Sequence, residues 1–380
     1  MDRVLVIGSR CVTNRTPNFI SELSRQATTF TFLSKAFYTD SLSRQTGWIT
    51  VLASFFGTVV YNLLLPFFIL RSRLIFVSAS NNFDILPIAF WARMFRKPVL
   101  VDYYVSIFEW SCQLMKIVPE HSLRGRLYRI SDRVAYRQKY LMHFNRSEIR
   151  HIGDSLGIAD RSTECFVCPL FTRFDQMVKT IECPKLQKPF RFVWWGSSLP
   201  LHGISLIVSA FKALADARRD FELHLCFMGD SHRDAFLTEN PAGSCSWLRC
   251  HTKYALKDGS LPNFVNQYAD LGFSHFGVGE QAEYVGSNKV VECMALGRTC
   301  LLSDTTSNRE IIGFDDSFFV CQRKVEEMVK TLVYILDNPE EVGEKGLRCR
   351  EIFIKHYSEA VGAHRFGAIL NTIQNQGLEC

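Results

Sequence analysis

The amino-acid sequence predicts an α/β fold made of two units, each with a parallel sheet covered by helices. Short runs rich in Val, Ile, Leu and Phe alternate with segments of helical length, which is typical of strands buried on both faces. This pattern stops near residue 172 and begins again at Phe190, and the segment between contains Pro184 and Pro189. A proline-containing segment without periodicity is typical of a linker, so the chain of 380 residues is expected to hold two domains.

The first half contains apolar runs that end at Gly, Ser, Asp or Pro and are interpreted as strands. They lie at residues 4–8, 74–78, 98–102 and 165–169. The intervening helical segments are expected at 17–26 and 85–95, and another helix is expected to begin at Ser147. Strand–helix alternation of this kind predicts a parallel sheet with helices on both faces.

One segment of the first half departs from this pattern. Residues 48–70 are 23 residues without a charge, flanked by Arg44 on one side and by Arg71 and Arg73 on the other. As a helix the segment would be about 35 Å long, enough to cross a bilayer core of about 30 Å. Three interpretations stay open: a buried or half-buried helix of the domain, an interfacial helix with its arginines at the headgroups, and a transmembrane span. A span would separate the first strand from the next two, which disfavours it.

The charge balance restricts the partners that are expected. The net charge is +6, which fits a cytosolic enzyme, an anionic membrane surface or an anionic substrate. No nucleic-acid module is recognisable, so nucleic acid is not expected as a partner. A basic stretch at 124–139 is interpreted as a solvated helix face, with contact to anionic lipid or to a diphosphate-linked acceptor as the alternative.

The cysteines predict neither a zinc site nor a disulfide framework. There are 13, they are scattered, and the one close pair, Cys165 and Cys168, lies in an apolar run typical of a strand. The odd number and the absence of a recognisable secretory signal favour a reducing compartment, so a cytoplasmic location is expected.

The second half begins with a strand that runs into a loop of small residues. Residues 191–195 are expected to form the strand, Gly196, Ser197 and Ser198 follow it, and a helix is expected at 204–215. This arrangement presents backbone N–H groups and a helix N-terminus to a phosphate, although many α/β turns also use Gly-Ser. His202 precedes the helix, where it could donate to an anionic oxygen or be an ordinary surface residue.

The chemically richest stretch is 272–312, where a strand runs into a glycine-rich loop and then into a helix. The helix is expected to begin near Ser287, a plausible N-cap, and to end at Gly297. Asn288, Lys289 and Glu292 share one polar face of it. A lysine and a helix N-terminus suit a diphosphate, and a carboxylate one turn later suits a ribose hydroxyl pair. A surface Lys–Glu pair is the other interpretation of the same spacing.

Several segments together resemble a known enzyme family. They are residues 288–304 (NKVVECMALGRTCLLSD), residues 308–312, residues 194–204 (WWGSSLPLHGI), Phe276 with Gly277, and residues 97–102 with Ser106. These segments resemble the retaining GT-B glycosyltransferases of group 1 (family 4), and most closely a branch with a His-Gly pair, here His202 with Gly203. The resemblance covers most of residues 74–312 and is stronger in the second half.

The resemblance implies two Rossmann-like domains that face each other across a cleft, with the nucleotide-sugar on the C-terminal one and no metal requirement. It implies that Glu292 holds the ribose and that Lys289 meets the diphosphate. Ser197, Ser198 and His202 lie where the family often has an arginine and a lysine on the phosphates. The expected domains are residues 1–175, a linker at 176–189, residues 190–355, and a C-terminal helix at 356–380 with packing against the first domain as one option.

The sequence also departs from the family pattern. Tyr284 occupies the position eight before Glu292 where the family has its first acid, and Glu280 and Glu283 are near but lack the spacing. Fewer fixed charges would therefore meet the leaving diphosphate: Lys289, loop N–H groups and, as a further candidate, Arg309.

These implications define the expected activity and its alternatives. The expected enzyme is a hexosyltransferase-class glycosyltransferase that moves a sugar from a nucleotide diphosphate sugar, its donor substrate, to a lipid-linked or surface-polysaccharide acceptor, with retention and without a cofactor. Asp102 is the first-domain candidate for orienting or deprotonating the acceptor hydroxyl, or else it caps a turn. The alternatives are a sugar-nucleotide epimerase of the same fold and a non-catalytic sugar-nucleotide-binding scaffold. Peripheral contact with the cytoplasmic face of a membrane is the expected association.

Overall fold

The computed structural model describes residues 3–8, 15–33, 48–79, 84–158, 163–239, 245–312 and 316–376. The chain divides into two compact units. Unit 1 comprises residues 1–169 with 362–380, and unit 2 comprises residues 170–361. The first boundary therefore lies at residue 169, slightly before the position 175 expected from the sequence.

The sheet of unit 1 has six parallel strands in the order β2-β1-β3-β4-β5-β6. The strands are β1 (Arg3–Ile7), β2 (Thr29–Leu33), β3 (Leu74–Val77), β4 (Val99–Asp102), β5 (Tyr140–His143) and β6 (Glu164–Val167). The four strands expected from the apolar runs are confirmed, whereas β2 and β5 had not been identified from the sequence.

The α-helices described between these strands are α1 (Arg15–Gln26), α2 (Trp48–Arg71), α3 (Ile85–Met94), α4 (Leu123–Tyr136) and α5 (Arg146–Ser155), and a short π-helix at Glu109–Leu114 precedes α4. Side chains of α2, α3 and α4 share one buried cluster with strands β1, β3 and β4, so these three helices lie on the same face of the sheet. Asn145 caps α5 by accepting a hydrogen bond from the Glu148 amide at 2.7 Å, which starts this helix slightly before the expected Ser147.

Helix α2 contains the uncharged segment 48–70, and the structure describes its side chains from residue 57 onward. Tyr61, Leu65 and Ile69, spaced four residues apart, are buried in the cluster of unit 1, while the opposite side of the helix is exposed. In the described residues, no helix is both long enough and apolar enough to cross a membrane. From residue 57 onward the segment is therefore half-buried in the domain, and the side chains that it exposes are still apolar. Arg44 lies outside the described residues.

The sheet of unit 2 also has six parallel strands, in the order β12-β11-β10-β7-β8-β9. The strands are β7 (Phe190–Gly196), β8 (Phe221–Phe227), β9 (Leu248–His251), β10 (Leu271–Phe273), β11 (Cys300–Ser303) and β12 (Phe319–Cys321). The chain builds outward from β7 through β8 and β9, and then returns to β10 on the other side of β7. This reversal places a topological switch point between β7 and β10, where open α/β sheets bind ligands beyond the carboxyl ends of the strands.

The helices of unit 2 continue the alternation. They are α6 (Ile204–Ala215), α7 (Asp230–Glu239), α8 (Ser260–Tyr268), α9 (Gln281–Tyr284), α10 (Asn288–Ala295), α11 (Thr306–Ile312), α12 (Val325–Asp337) and α13 (Pro339–His356). The last helix of the described chain, α14 (Glu359–Gln376), places Phe366 against Phe19 and Phe76 in unit 1. Its Gln376 accepts a hydrogen bond from the Tyr140 hydroxyl at 2.9 Å.

The segment expected to be a linker is fastened to unit 2. Arg298, only 1% exposed, donates through its guanidinium to the carbonyl of Glu182 at 2.7 Å and to carbonyls of α8 and its C-terminal end. Asp270 accepts from the Leu186 amide at 3.0 Å. Buried polar groups are destabilising unless they are paired, so breaking these hydrogen bonds would be costly. Residues 182–186 are therefore held against the rest of unit 2 and do not form a free linker.

Candidate functional site

Two loops of unit 2 meet at the switch point. The first follows β7 and spans residues 196–203, and the second follows β10 and leads to α10. Their backbones are joined directly, because the Phe276 amide donates to the His202 carbonyl at 3.0 Å and the Gly277 amide donates to the Leu201 carbonyl at 3.0 Å. These bonds fix the geometry of both loops at the carboxyl edge of the sheet.

The contact between the loops requires glycine on both sides. Gly203 has a φ of 63°, in the left-handed region, and a Cβ there would lie 2.2 Å from the Phe276 carbonyl carbon. A Cβ on Gly277 would lie 2.3 Å from the Leu201 carbonyl oxygen. Side chains at either position would collide with backbone, which gives a physical reason for the His202–Gly203 and Phe276–Gly277 pairs.

The end of β7 brings together three of the predicted site residues. A Cβ built on Gly196 would lie 3.3 Å from His202 Cε1 and 3.4 Å from Lys289 Cε. The first turn of α10 therefore places its lysine beside the loop of small residues. Ser287 occupies the N-cap position of α10 but makes no capping hydrogen bond through its side chain.

Lys289 is a buried cation in the first turn of α10. Its side chain is 7% exposed, its Nζ lies 5.3 Å from the centroid of a Trp194 ring, and it forms no ion pair with any residue that the structure describes. Burial lowers the pKa of Lys289 to about 8, although the nearby Glu292 opposes this effect. A buried ammonium group held in this way is a strong site for an anion, because little in the protein neutralises it.

His202 is oriented by the loop that it follows. Its Nδ1 lies 2.6 Å from the Ser197 carbonyl, so this nitrogen must donate and Nε2 carries the lone pair in the neutral ring. Burial, together with the nearby Lys289, holds the pKa of His202 well below its usual value. The neutral ring thus offers Nε2 as an acceptor, which suits a hydroxyl, and it can donate to an anionic oxygen only as the imidazolium. Ser198 instead contacts His232, at 3.2 Å between Oγ and Nδ1.

Glu292 lies one turn beyond Lys289 on α10 and is 5% exposed. Its Oε2 accepts a hydrogen bond from the Trp195 indole N–H at 2.7 Å. Trp195 in turn stacks on Phe174, with ring centroids 6.2 Å apart and planes 15° apart. The sequence placed Lys289 and Glu292 on one face, and the structure adds that Trp194 contacts the lysine while Trp195 orients the acid.

Of the two acids near Tyr284, Glu283 is already engaged by other residues of unit 2. Glu283 accepts from the Thr306 amide and hydroxyl, both at 2.7 Å, and its other oxygen pairs with Arg323 at 2.9 Å. Glu280 is an exposed residue that precedes α9. Tyr284 ends α9 and Asn288 begins α10, so both stay on the loop that approaches the lysine.

Arg309 was a candidate for the phosphates, but it is engaged elsewhere. Its guanidinium makes a two-pronged ion pair with Asp304, at 2.8 and 2.9 Å, and it is largely exposed. An arginine already paired in this way brings little net positive charge to a second anion. Lys289 therefore carries the positive charge of the site in the part of unit 2 that the structure describes.

The structure also shows a residue that sequence reasoning missed. His275 follows β10, is 2% exposed, and donates from Nε2 to the Ala282 carbonyl at 2.9 Å. Burial lowers the pKa of His275 to about 4, so it is neutral at physiological pH and acts as a fixed brace of the second loop. Arg323 holds the same loop by donating to the Gly277 carbonyl at 3.0 Å. The one sequence feature that could have identified His275 is its position directly before the Phe276–Gly277 pair.

Asp102 belongs to unit 1. It ends β4 beside Met142 of β5, and its side chain is buried. The segment after it is held by Asp132, whose carboxylate accepts from the Ser106 hydroxyl and the Phe108 amide, both at 2.8 Å. The role of Asp102 toward an acceptor stays a prediction. Across the described ranges, no group of three or more His, Cys, Asp or Glu side chains is arranged to hold a metal ion.

Comparison with known proteins finds similarity in structure but not in sequence. No protein-family model and no curated protein sequence matches the chain. Anabaena HepE in complex with UDP-glucose has a TM-score of 0.66 at 11% identity, over 97% of this chain and 99% of that chain. Sucrose-phosphate synthase from Thermosynechococcus elongatus has a TM-score of 0.68 at 11% identity, over 99% of this chain and 100% of that chain. A UDP-forming α,α-trehalose-phosphate synthase from Burkholderia vietnamiensis has a TM-score of 0.66 at 12% identity, over 99% of each chain.

These structural neighbours are GT-B glycosyltransferases, and identity this low shows the fold alone. The order of strands agrees with that assignment, because each unit is a doubly wound parallel sheet of six strands. The chain therefore has the α/β fold of the GT-B type, with two Rossmann-like units.

Proposed function

We propose that this protein is a glycosyltransferase that transfers a sugar from a nucleoside diphosphate sugar to a glycan or lipid-linked acceptor, with retention of configuration. The observation that carries the proposal is the buried, unpaired Lys289 beside Gly196, with Glu292 one turn further along α10. The structural likeness to Anabaena HepE, which was solved with UDP-glucose, supports the donor class. Retention and the His-Gly branch rest on the sequence resemblance.

The proposed roles follow from charge. The Lys289 ammonium and the first N–H groups of α10 would bind the diphosphate, since both present positive charge at the same loop. Glu292 would accept from the ribose hydroxyls through its carboxylate, which the Trp195 indole N–H orients. Gly196 would let the diphosphate approach the backbone closely. Asn288 and Tyr284 flank this position on the second loop.

Catalysis would come from meeting the charge that develops on the leaving group. When the bond between sugar and phosphate breaks, the sugar becomes positive and the diphosphate becomes more negative. A buried ammonium that is already in place stabilises that negative charge without reorganisation, which is the largest contribution in many enzymes. His202 Nε2, as a neutral acceptor, would orient a sugar hydroxyl, and Asp102 is proposed to act on the acceptor. Independence of metal ions stays a prediction from the resemblance.

Donor binding is the first test. Binding to the folded state must stabilise it, by about 2.7 kcal/mol when the ligand is at about 100 times its Kd. We expect at least one sugar nucleotide of a UDP-, GDP- and dTDP-sugar panel to raise the midpoint of thermal unfolding. The Lys289→Met variant should show no such shift. If no sugar nucleotide changes the unfolding of the wild-type protein, the proposal fails.

The alternatives are separated by turnover. A sugar-nucleotide epimerase would convert the donor with no acceptor present, so product formation from the donor alone would favour it. A scaffold would bind the donor without hydrolysing or transferring the sugar with any acceptor tried. Transfer that depends on an added acceptor is the outcome expected here. The cytoplasmic location suggested by the sequence is part of the proposal.

Trp195→Phe tests the role of Glu292. The variant keeps most of the ring but loses the N–H that fixes the acid, so we expect UDP-sugar affinity to fall about fivefold, equivalent to about 1 kcal/mol. Isothermal titration of the folded variant measures this. Trp247→Phe is the matched control, because Trp247 packs in the core of unit 2 and its indole donates no hydrogen bond to the described residues. Equal affinities of the two variants would contradict a positioning role.

A further inference from the structure

The exposed apolar side chains of this protein are concentrated on unit 1. Among the described residues, more than half of the large hydrophobic side chains that are exposed lie between residues 59 and 130. The most informative belong to three helices, in pairs: Leu63 and Phe67 on α2, Phe90 and Met94 on α3, and Leu123 and Leu127 on α4, with exposures between 46% and 76%. These six side chains are called the helical face below. Scattered single residues would need no explanation, but a contiguous apolar area does.

The six side chains lie on one surface because of how the helices pack. Leu65 of α2, Ile88 of α3 and Ala135 of α4 are all buried in the cluster on one side of the sheet. In sequence, α2 packs against α3 and α3 packs against α4. A helix that buries one side against a sheet presents its opposite side outward, so the exposed sides of all three helices share one outer surface.

The helical face is surrounded by cations. The exposed basic side chains of these helices and their ends include Arg71, Arg93, Arg96, Arg124, Arg126 and Arg129. Among the described residues from 57 to 140, Glu120 is the single exposed acid, since the other four are buried. The Arg71 guanidinium lies 3.8 Å above the Phe67 ring, so cationic and apolar groups are in direct contact on this face.

We propose that the helical face docks on an anionic lipid bilayer. Apolar side chains enter the boundary between headgroups and acyl chains, and surrounding arginines bind the lipid phosphates, which is how amphipathic surfaces bind membranes without crossing them. A second copy of the chain is a poorer occupant, because a two-fold interface would place cations opposite cations. The proposal goes beyond the transfer reaction and does not depend on it, because docking requires neither donor nor acceptor.

The test is sedimentation with vesicles of phosphatidylglycerol and with vesicles of phosphatidylcholine. We expect the full-length protein to bind the first, to bind the second more weakly, and to lose affinity for the first as salt is raised. A variant with Leu63→Ser and Phe67→Ser should lower the partition coefficient by about tenfold or more. The matched control carries Leu347→Ser and Ile354→Ser, which removes two exposed apolar side chains from α13 of unit 2 and should bind as the wild type does.

A second variant separates charge from apolar contact. Arg124→Gln with Arg126→Gln should abolish most of the preference for phosphatidylglycerol. Thermal unfolding of each variant confirms that it is folded, and retention of the donor-induced shift shows that the donor site is intact. The proposal is wrong if the wild type binds neither kind of vesicle, or if the variant with Leu63→Ser and Phe67→Ser binds as well as the wild type does. It is equally wrong if the substitutions convert a dimer to a monomer while vesicle binding is unaffected.

Discussion

Replacing Lys289 with methionine is expected to lower kcat/KM for sugar transfer by about 10²–10³-fold, the usual loss when one fixed electrostatic group is removed from a reacting site. The same change should leave the free energy of unfolding unchanged or raise it. Methionine fills a similar volume, and the variant no longer buries an ammonium group that lacks a partner. Steady-state kinetics and urea unfolding measure the two effects. Lys330→Met is the control, because that lysine is 73% exposed and should change neither quantity.

The pH dependence gives the same prediction an independent check. Burial lowers the pKa of Lys289 from 10.5 to about 8, so between these values the unfolded chain binds more protons than the folded one. The destabilisation is therefore fully present below the folded pKa, and the stability of the wild type should rise with pH across this window relative to Lys289→Met. Donor affinity should change in the opposite direction and fall as the ammonium is lost. A variant that loses activity and stability together would contradict this account of Lys289.

Gly203→Ala is expected to disrupt the junction of the two loops and lower the free energy of unfolding by about 2–5 kcal/mol. About 1–2 kcal/mol comes from placing a side chain in the left-handed region, and about 1–3 kcal/mol from the collision with Phe276. Because the collision is with backbone, it cannot be relieved by a side-chain rotation. Donor binding should be lost with it, since the Phe276 and Gly277 amides must move. Denaturant unfolding and titration with the donor measure both effects.

A control for this variant exists in the same unit. Gly259 has a φ of 75°, but a Cβ there would lie no closer than 3.6 Å to any neighbour. Gly259→Ala should therefore show only the conformational part, about 1–2 kcal/mol, and leave donor binding intact. If both alanine variants lose the same free energy, the collision at Gly203 is not important and the loops are more adaptable than the structure indicates.

Much of the fold could be predicted from the sequence, because central strands of a parallel sheet are continuous apolar runs. The runs that became β3 and β4 are buried along their whole length. Strand β2 was missed because it is an edge strand in which Thr and Phe alternate, so it lacks a continuous apolar run. Strand β5 was missed because it follows the basic helix α4 without a glycine or proline to mark the boundary.

The candidate site could be predicted only in part, because some of its contacts join neighbours on one helix and others join residues far apart in the sequence. Helical spacing was enough to place Lys289 and Glu292 on one face of α10. The hydrogen bond between Trp195 and Glu292 joins residues 97 positions apart, and it depends on the strand order of unit 2. The ion pair between Glu283 and Arg323 could not be predicted from the sequence either, since it depends on where β12 ends. Local patterns can therefore identify the residues of a site before they can show which of them are already engaged.

The backbone junction between residues 201–203 and 276–277 has a consequence for how a ligand is received. The two loops are hydrogen-bonded to each other, with glycines at the points of contact, so their conformation is held in place without a ligand. A receptor preorganised to this degree loses little conformational entropy on association, so more of the interaction energy appears as affinity. The same rigidity limits adaptability, because a ligand that needs a wider opening between these loops would have to break both backbone hydrogen bonds between them.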